Sequence, residues 1–283
     1  VRVHHLNCGT DCPVGGALFD GCSTGALARI VCHCLLIETD AHGLVLVDTG
    51  YGLRDVAHPH SPEERIPRPW RAMLNIRLRE EETAIRQVEA LGYRASDVRH
   101  IVATHLDFDH AGGLEDFPDA TVHVMAREYD DATRPHTGFV ARHRWRPPQL
   151  DEVARWRRYG ARGESWFGFE AVRDLDGLPP EILMVPLPGH TWGHAGVALR
   201  GDDGRWLLHA GDAYFYRGEM RGARRRCTPG LRAYQRLMES DAASRMLNQD
   251  RLRRLSVERR DEVTVTCTHD PVEWERCRSG CPL

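Results

Sequence analysis

Short apolar runs recur along this chain, and several of them stop at an ionisable residue. "CHCLLIETDAHGLVLVDTGYG", residues 32–52, places one such run, a turn-like "DAHG" and a second run in series. That order predicts a β-hairpin of two buried strands. "VRHIVATH" and "TVHVMA" (121–126) read as further short strands, as do "EILMVPLPGH", "GRWLLHAGD" and "EVTVTCTHD". Helical spacing shows in "EEETAIRQVEALGY", where Ile85, Val88 and Leu91 share a face. Acidic residues fill its first turn and Gly92 follows as a C-cap. A second helical stretch is expected over roughly 229–259.

Two segments lack a clear period. Residues 53–79 are polar and rich in proline and arginine, which predicts a long loop or cover. Residues 127–180 set Trp145, Trp156 and Trp166 among many arginines and are expected to hold helices and loops. The opening "HHLNCGTDCPVGG" reads equally as a loop over a site or as a strand followed by a loop. The sequence of elements predicts an α+β fold with two sheets in the middle and helices outside, more than a βαβ ladder. The whole chain, 1–283, is read as one domain, with 53–79 and 127–180 as cover segments. Its length suffices for a core that needs no disulfide staples.

Composition narrows the classes. The hydrophobic and charged fractions, 41% and 28%, are those of an ordinary globular chain. A net charge of −3 gives no general attraction to nucleic acid or to an anionic membrane, so neither is expected as a partner. All 38 basic residues are arginine, which excludes a lysine Schiff base and a lysine-bearing phosphate loop. The arginine runs "RGARRR" and "RLRRLSVERR" read as solvated faces before anion sites. Nine cysteines, an odd number, predict free thiols in a reducing cytoplasm. The pairs Cys8/Cys12, Cys32/Cys34 and Cys277/Cys281 lack zinc-ribbon spacing and read as buried small residues or surface thiols. No apolar run approaches the roughly 18 residues of a membrane span, and "VRVHHLNCG" lacks the pattern of a signal peptide.

The candidate chemistry lies at the strand ends. Four apolar runs stop at His105, His190, Asp212 and His269. "THLDFDHAGG" adds Asp107, Asp109 and His110, separated by apolar Leu106 and Phe108 that can turn back to the core. Imidazole and carboxylate together suit zinc, iron or manganese. Seven candidate ligands exceed one tetrahedral ion and predict two divalent metals, with zinc first.

These segments carry a family resemblance. "THLDFDHAGG" resembles the metal motif of the metallo-β-lactamase superfamily, and "LVDTG", "LPGHTWGHAG", "HAGDA" and "CTHD" resemble its other signatures in order. The likeness covers roughly residues 30–270 and lies nearest the lactonase and glyoxalase II-like branches. It implies a four-layer αββα sandwich with a dinuclear site at the sheets' loop edge. By the resemblance, His105, Asp107 and His190 would hold one metal, and Asp109, His110 and His269 the other. Asp212 would bridge them, Asp48 would support the site, and His194 would be structural. Asp107 stands where the family has histidine; as a harder, anionic ligand it would draw the first site towards iron or manganese.

The function expected is a metal-dependent hydrolase acting on a small ester, lactone or thioester. Two cations would ionise a bridging water, and Asp109 would orient it or shuttle its proton. Tyr214 and Tyr216, just past Asp212, are candidates to orient a carbonyl or protonate a leaving group. Related lactone hydrolases carry a tyrosine three residues past the bridging aspartate, where this chain has Phe215. The alternatives are a non-haem diiron oxidoreductase and a non-catalytic metal-binding sensor or partner domain. The sequence leaves the oligomeric state open.

Overall fold

The structure is a computed structural model describing residues 2–60, 64–160, 162–171, 175–222 and 224–280; Cys281 lies outside these. The first strands are β1 (Arg2–Asp11), β2 (Ile30–Glu38), β3 (Leu44–Val47), β4 (Ile76–Arg77), β5 (Val98–Val102), β6 (Thr121–Met125) and β7 (Trp156–Tyr159). They form a seven-stranded sheet in the order β4-β1-β2-β3-β5-β6-β7. A small hairpin follows, β8 (Glu164–Trp166) with β9 (Phe169–Ala171). The second sheet has the order β10 (Ile182–Pro186), β11 (Ala195–Arg200), β12 (Trp206–His209), β13 (Val263–Thr266).

Period-two alternation sorts the side chains between layers. Leu35 and Ile37 of β2 and Val45 and Val47 of β3 face the second sheet, meeting Met184, Val197 and Leu199. Their neighbours Cys34, Leu36, Leu44 and Leu46 face the other way, onto Ala84, Ile85 and Val88 of the helix Ala84–Ala90. On the far side of the second sheet, Leu183, Val185, Leu208 and Val265 pack with Leu252 and Leu255 of the helix Ala242–Glu258. Helix, sheet, sheet, helix is the predicted four-layer αββα order.

The predicted hairpin is β2–β3, antiparallel with Leu35 opposite Val47. The N-terminal segment is a ten-residue strand, so the strand-then-loop reading holds. Other boundaries differ. Residues 53–79 are not one loop; they contain the helices Leu53–Ala57 and Arg68–Leu74 and the strand β4. The segment 127–180 adds β7, β8 and β9 to its helices. The expected helix over 229–259 is two, Pro229–Met238 and Ala242–Glu258. Ser240 and Asp241 interrupt it by donating their amides to the Gly189 and His190 carbonyls, and Asp241 caps the second helix by accepting from Ala243 N and Ser244 N.

Strand direction gathers the site. β3 and β5 run parallel, and so do β12 and β13. β10 also runs with β12, because each is antiparallel to β11. The segments after β3, β5, β10, β12 and β13 therefore leave their strands at C-terminal ends, carrying Asp48, His105 to His110, His190, Asp212 and His269.

Candidate metal centre

The loop after β5 is fixed from below by Asp48, which adopts a left-handed φ of 56°. Its carboxylate accepts from Thr104 N and Thr104 Oγ1, both at 2.7 Å, and from His110 Nδ1 at 2.9 Å. Thr104 Oγ1 in turn accepts from His105 Nδ1 at 3.0 Å. His269 Nδ1 donates to the Val31 carbonyl at 2.8 Å. With their Nδ1 atoms so engaged, His105, His110 and His269 turn Nε2 inward, the nitrogen left to meet a metal.

Asp212 stands at the centre. Its Oδ2 lies 3.2 Å from His269 Nε2, 3.4 Å from His190 Nε2 and 3.8 Å from His105 Nε2. Its Oδ1 lies 3.4 Å from His110 Nε2. Asp109 Oδ2 closes the far side, 3.7 Å from His269 Nε2 and 4.0 Å from His110 Nε2. Asp212 owes its position to His194, whose Nε2 accepts the Asp212 amide at 2.9 Å while Nδ1 donates to Leu187 O. Gly211 makes that approach feasible: its φ is +54°, and a Cβ there would meet His194 Nε2 at 2.6 Å.

The donor set fits a divalent cation. His105 Nε2, His110 Nε2 and Asp212 Oδ1 are buried without a hydrogen bond, as befits ligand atoms whose partner is an ion. His105, His110 and Asp212 hold their donor atoms within 4.8 Å of one another, and so do His105, Asp107 and His190. Burial opposes charging of His269, but Asp212 and then Asp109 outweigh it and push its pKa up to about 9. Asp212 and Asp109 raise His110 in the same way. These imidazoles hold protons that a bound cation would displace.

All seven ligand candidates meet here, but Asp107 has a second partner. Arg144, from the segment 127–180, donates Nε to Asp107 Oδ1 and Nη2 to Asp107 Oδ2, each at 2.8 Å. Burial works against ionisation of Asp107, yet the Arg144 guanidinium and His105 hold its carboxyl well below the usual range. Burial and Arg144 push His190 down to about 4, so its imidazole is neutral.

The two candidate tyrosines lie elsewhere. Tyr214 is fully buried and donates to Glu273 Oε2 at 2.9 Å, inside the core behind the second sheet. Tyr216 packs against Gly21, under the Arg217 guanidinium. Successive residues after Asp212 alternate in direction, and Phe215 is the one aimed at the site. Its ring stacks on His269 at 5.0 Å and meets His190 edge-on at 5.7 Å. Tyr234, from the helix Pro229–Met238, lies edge-on to Phe215 at 5.8 Å. Burial, then Asp109, Asp11, Asp107 and Asp212, push its phenol well above the usual range.

Sequence reasoning missed Arg144, Tyr234, Glu128 and Cys32. Glu128 ties two motif loops together, accepting from Leu106 N and from Thr191 Oγ1. Cys32, read as a bland thiol, has its Sγ grouped with donor atoms of Asp109 and His269 within 4.8 Å. Nothing local to the sequence signals this. The eight described cysteines are free thiols.

The sequence profile of the metallo-beta-lactamase superfamily matches residues 28–269. A probable metallo-hydrolase of Mycobacterium tuberculosis is 41% identical over 290 residues, spanning 98% of this chain and 83% of that protein. An N-acyl homoserine lactonase of Bacillus cereus is 29% identical, over 72% of this chain and 74% of its own. The solved structure of an N-acyl homoserine lactone hydrolase, with N-hexanoyl-L-homoserine at its catalytic metal centre, superposes with a TM-score of 0.69 at 18% identity. That superposition covers 98% of this chain and 96% of the other. With motif order, layer order and these matches in agreement, the chain belongs to the metallo-β-lactamase superfamily.

Proposed function

We propose that this metallo-hydrolase cleaves small esters, lactones or thioesters, with a divalent cation, zinc first, held among Asp109, His110, Asp212 and His269. The observation that carries the reading is the convergence of buried Nε2 atoms on the Asp212 carboxylate, two of them without a hydrogen bond. When bound, the cation would supply Lewis acidity and a water that ionises near neutral pH.

The chain's own groups do the rest. Burial raises the Asp109 carboxyl above its ordinary value against the pull of His110 and His269. Its Oδ2 is therefore suited to take a proton from the attacking water and return one to the leaving group. Tyr234, edge-on to Phe215 beside the cluster, is the tyrosine that would donate its hydroxyl to a substrate oxygen, the role expected of Tyr214 or Tyr216. Phe215, stacked on His269 and edge-on to His190, sets an apolar group beside the donors, which suits an acyl group better than a polyanion. The Bacillus cereus lactonase likeness supports this substrate class. The hold of Arg144 on Asp107 weighs against the iron-favouring role of that carboxylate, and so supports the hydrolase reading over the oxidoreductase one.

The test is a panel of aryl esters, lactones and thioesters, assayed with zinc, manganese and iron. Turnover that chelation removes, metal restores and Asp109→Asn lowers by at least 100-fold is the expected result. Oxygen consumption by iron-loaded protein, or bound metal with no turnover on any substrate, would refute the proposal.

A further inference from the structure

Arg144 is 2% exposed, and each of its three nitrogens is engaged. Nε and Nη2 grip the two Asp107 oxygens at 2.8 Å. Nη2 also lies 2.9 Å from His190 Nε2, which is 3.0 Å from Asp107 Oδ2. Nη1 donates to Met238 O at 2.9 Å, His190 O at 3.1 Å and Ser240 Oγ at 3.2 Å. The backbone is fixed as well. Arg144 closes the helix Phe139–Arg144, and Trp145 next to it forms an antiparallel bridge with Asp107. Trp145 Nε1 is anchored on Glu128. This guanidinium is built into the site, held by three separate segments of chain.

Its two partners, Asp107 and His190, are two of the three donors of the first metal position. Whether His190 Nε2 accepts from Arg144 or donates to Asp107, it is taken up within this ion pair, and a nitrogen so engaged cannot also bind a metal. A first-site cation would need that atom within about 2.1 Å, beside a fixed positive charge of the same sign. His105 is left next to Asp212 and His110, within the other donor group.

We propose that Arg144 takes the place of the first metal ion, so that the chain binds one divalent cation tightly, on the side of Asp109, His110, Asp212 and His269. Asp107 then serves as counterion to the guanidinium. The pair is neutral as a unit, so the extra negative charge expected of an aspartate at this position is cancelled. This inference rests on the reading of the cluster as a metal centre.

The test is titration of metal-stripped protein with zinc against a chromophoric chelator, repeated with cobalt(II) and read by its visible absorption. Wild type should bind one equivalent tightly, with any second at least 100-fold weaker. Asp107→Asn should still bind one. Arg144→Gln, which frees Asp107 and His190, should strengthen the second equivalent at least tenfold. If Arg144→Gln fails to fold by circular dichroism, wild type and Asp107→Asn together still decide. Two tight equivalents in wild type, falling to one in Asp107→Asn, would overturn the inference while leaving the metal centre intact. No tight binding in wild type would remove the metal centre itself.

Discussion

Asp48 accepts hydrogen bonds from Thr104 N, Thr104 Oγ1 and His110 Nδ1, and so sets both the loop and the ligand tautomer. Its left-handed backbone is one that asparagine also tolerates. Asp48→Asn should therefore keep the turn but lose the charge behind His110 and at least one accepted hydrogen bond, since the amide nitrogen cannot accept. Metal affinity is expected to fall roughly 10–100-fold, read by chelator competition, with little change in fold. Unchanged affinity would show that His110 needs no anionic support. The tyrosines separate by the same logic. Tyr234→Phe should lower kcat/KM about tenfold or more if its phenol donates to substrate as proposed. Tyr214→Phe should leave turnover near wild type and cost about 1–2 kcal/mol of stability, since Glu273 Oε2 would lose a buried donor. Steady-state kinetics and denaturant unfolding on both variants decide between the two.

At the scale of elements, the parallel edge β5–β6–β7 is pinned by a chain of imidazoles. Tyr159 OH accepts from Asp176 N and donates to His123 Nδ1, leaving His123 Nε2–H to reach His100 Nδ1. Burial, with His100 and Arg157 adding, lowers the His123 pKa to about 3. The unfolded chain takes up this proton near the ordinary value of 6.5, whereas the folded chain refuses it until about 3. Between those values the unfolded state binds more protons, so stability rises with pH and is lost as pH falls through that window. One such group gives a slope of up to about 1.4 kcal/mol per pH unit. His123→Gln should flatten the stability profile between pH 4 and 6 by up to that amount in urea unfolding. An unaltered slope would place the acid sensitivity elsewhere. The break between the helices Pro229–Met238 and Ala242–Glu258 acts at this scale too, since it brings Met238 O and Ser240 Oγ to Arg144.

In the whole molecule, three apolar layers hold the two sheets and their helices together, and the candidate metal donors project beyond them from strand ends. Metal removal should lower Tm without abolishing cooperative melting. Metal at a thousandfold its Kd stabilises by about 4 kcal/mol, and about 2–4 °C per kcal/mol then gives a drop of roughly 10 °C. A calorimetric trace that loses its transition after chelation would make the cation part of the fold. Among the described residues, no helix is long and apolar enough to cross a membrane.

The sequence by itself determined the layers and most of the candidate residues that gather at one edge. Period-two runs define strand faces locally. Asp107, Asp109 and His110 sit within a single turn of His105, and His190, Asp212 and His269 each follow an apolar strand. Tertiary structure decided what these groups face. Arg144 lies 37 residues from Asp107, among many arginines in a stretch without clear period, so no local signal could single it out. Tyr214 and Phe215 are adjacent in sequence, yet the turn after Asp212 sends one into the core and the other over His269. Cys32 reaches Asp109 and Tyr234 reaches Phe215 only because a strand and a helix, distant in sequence, close on the same edge. Local pattern encodes which face of an element is buried; the choice of partner across that face is a long-range packing outcome.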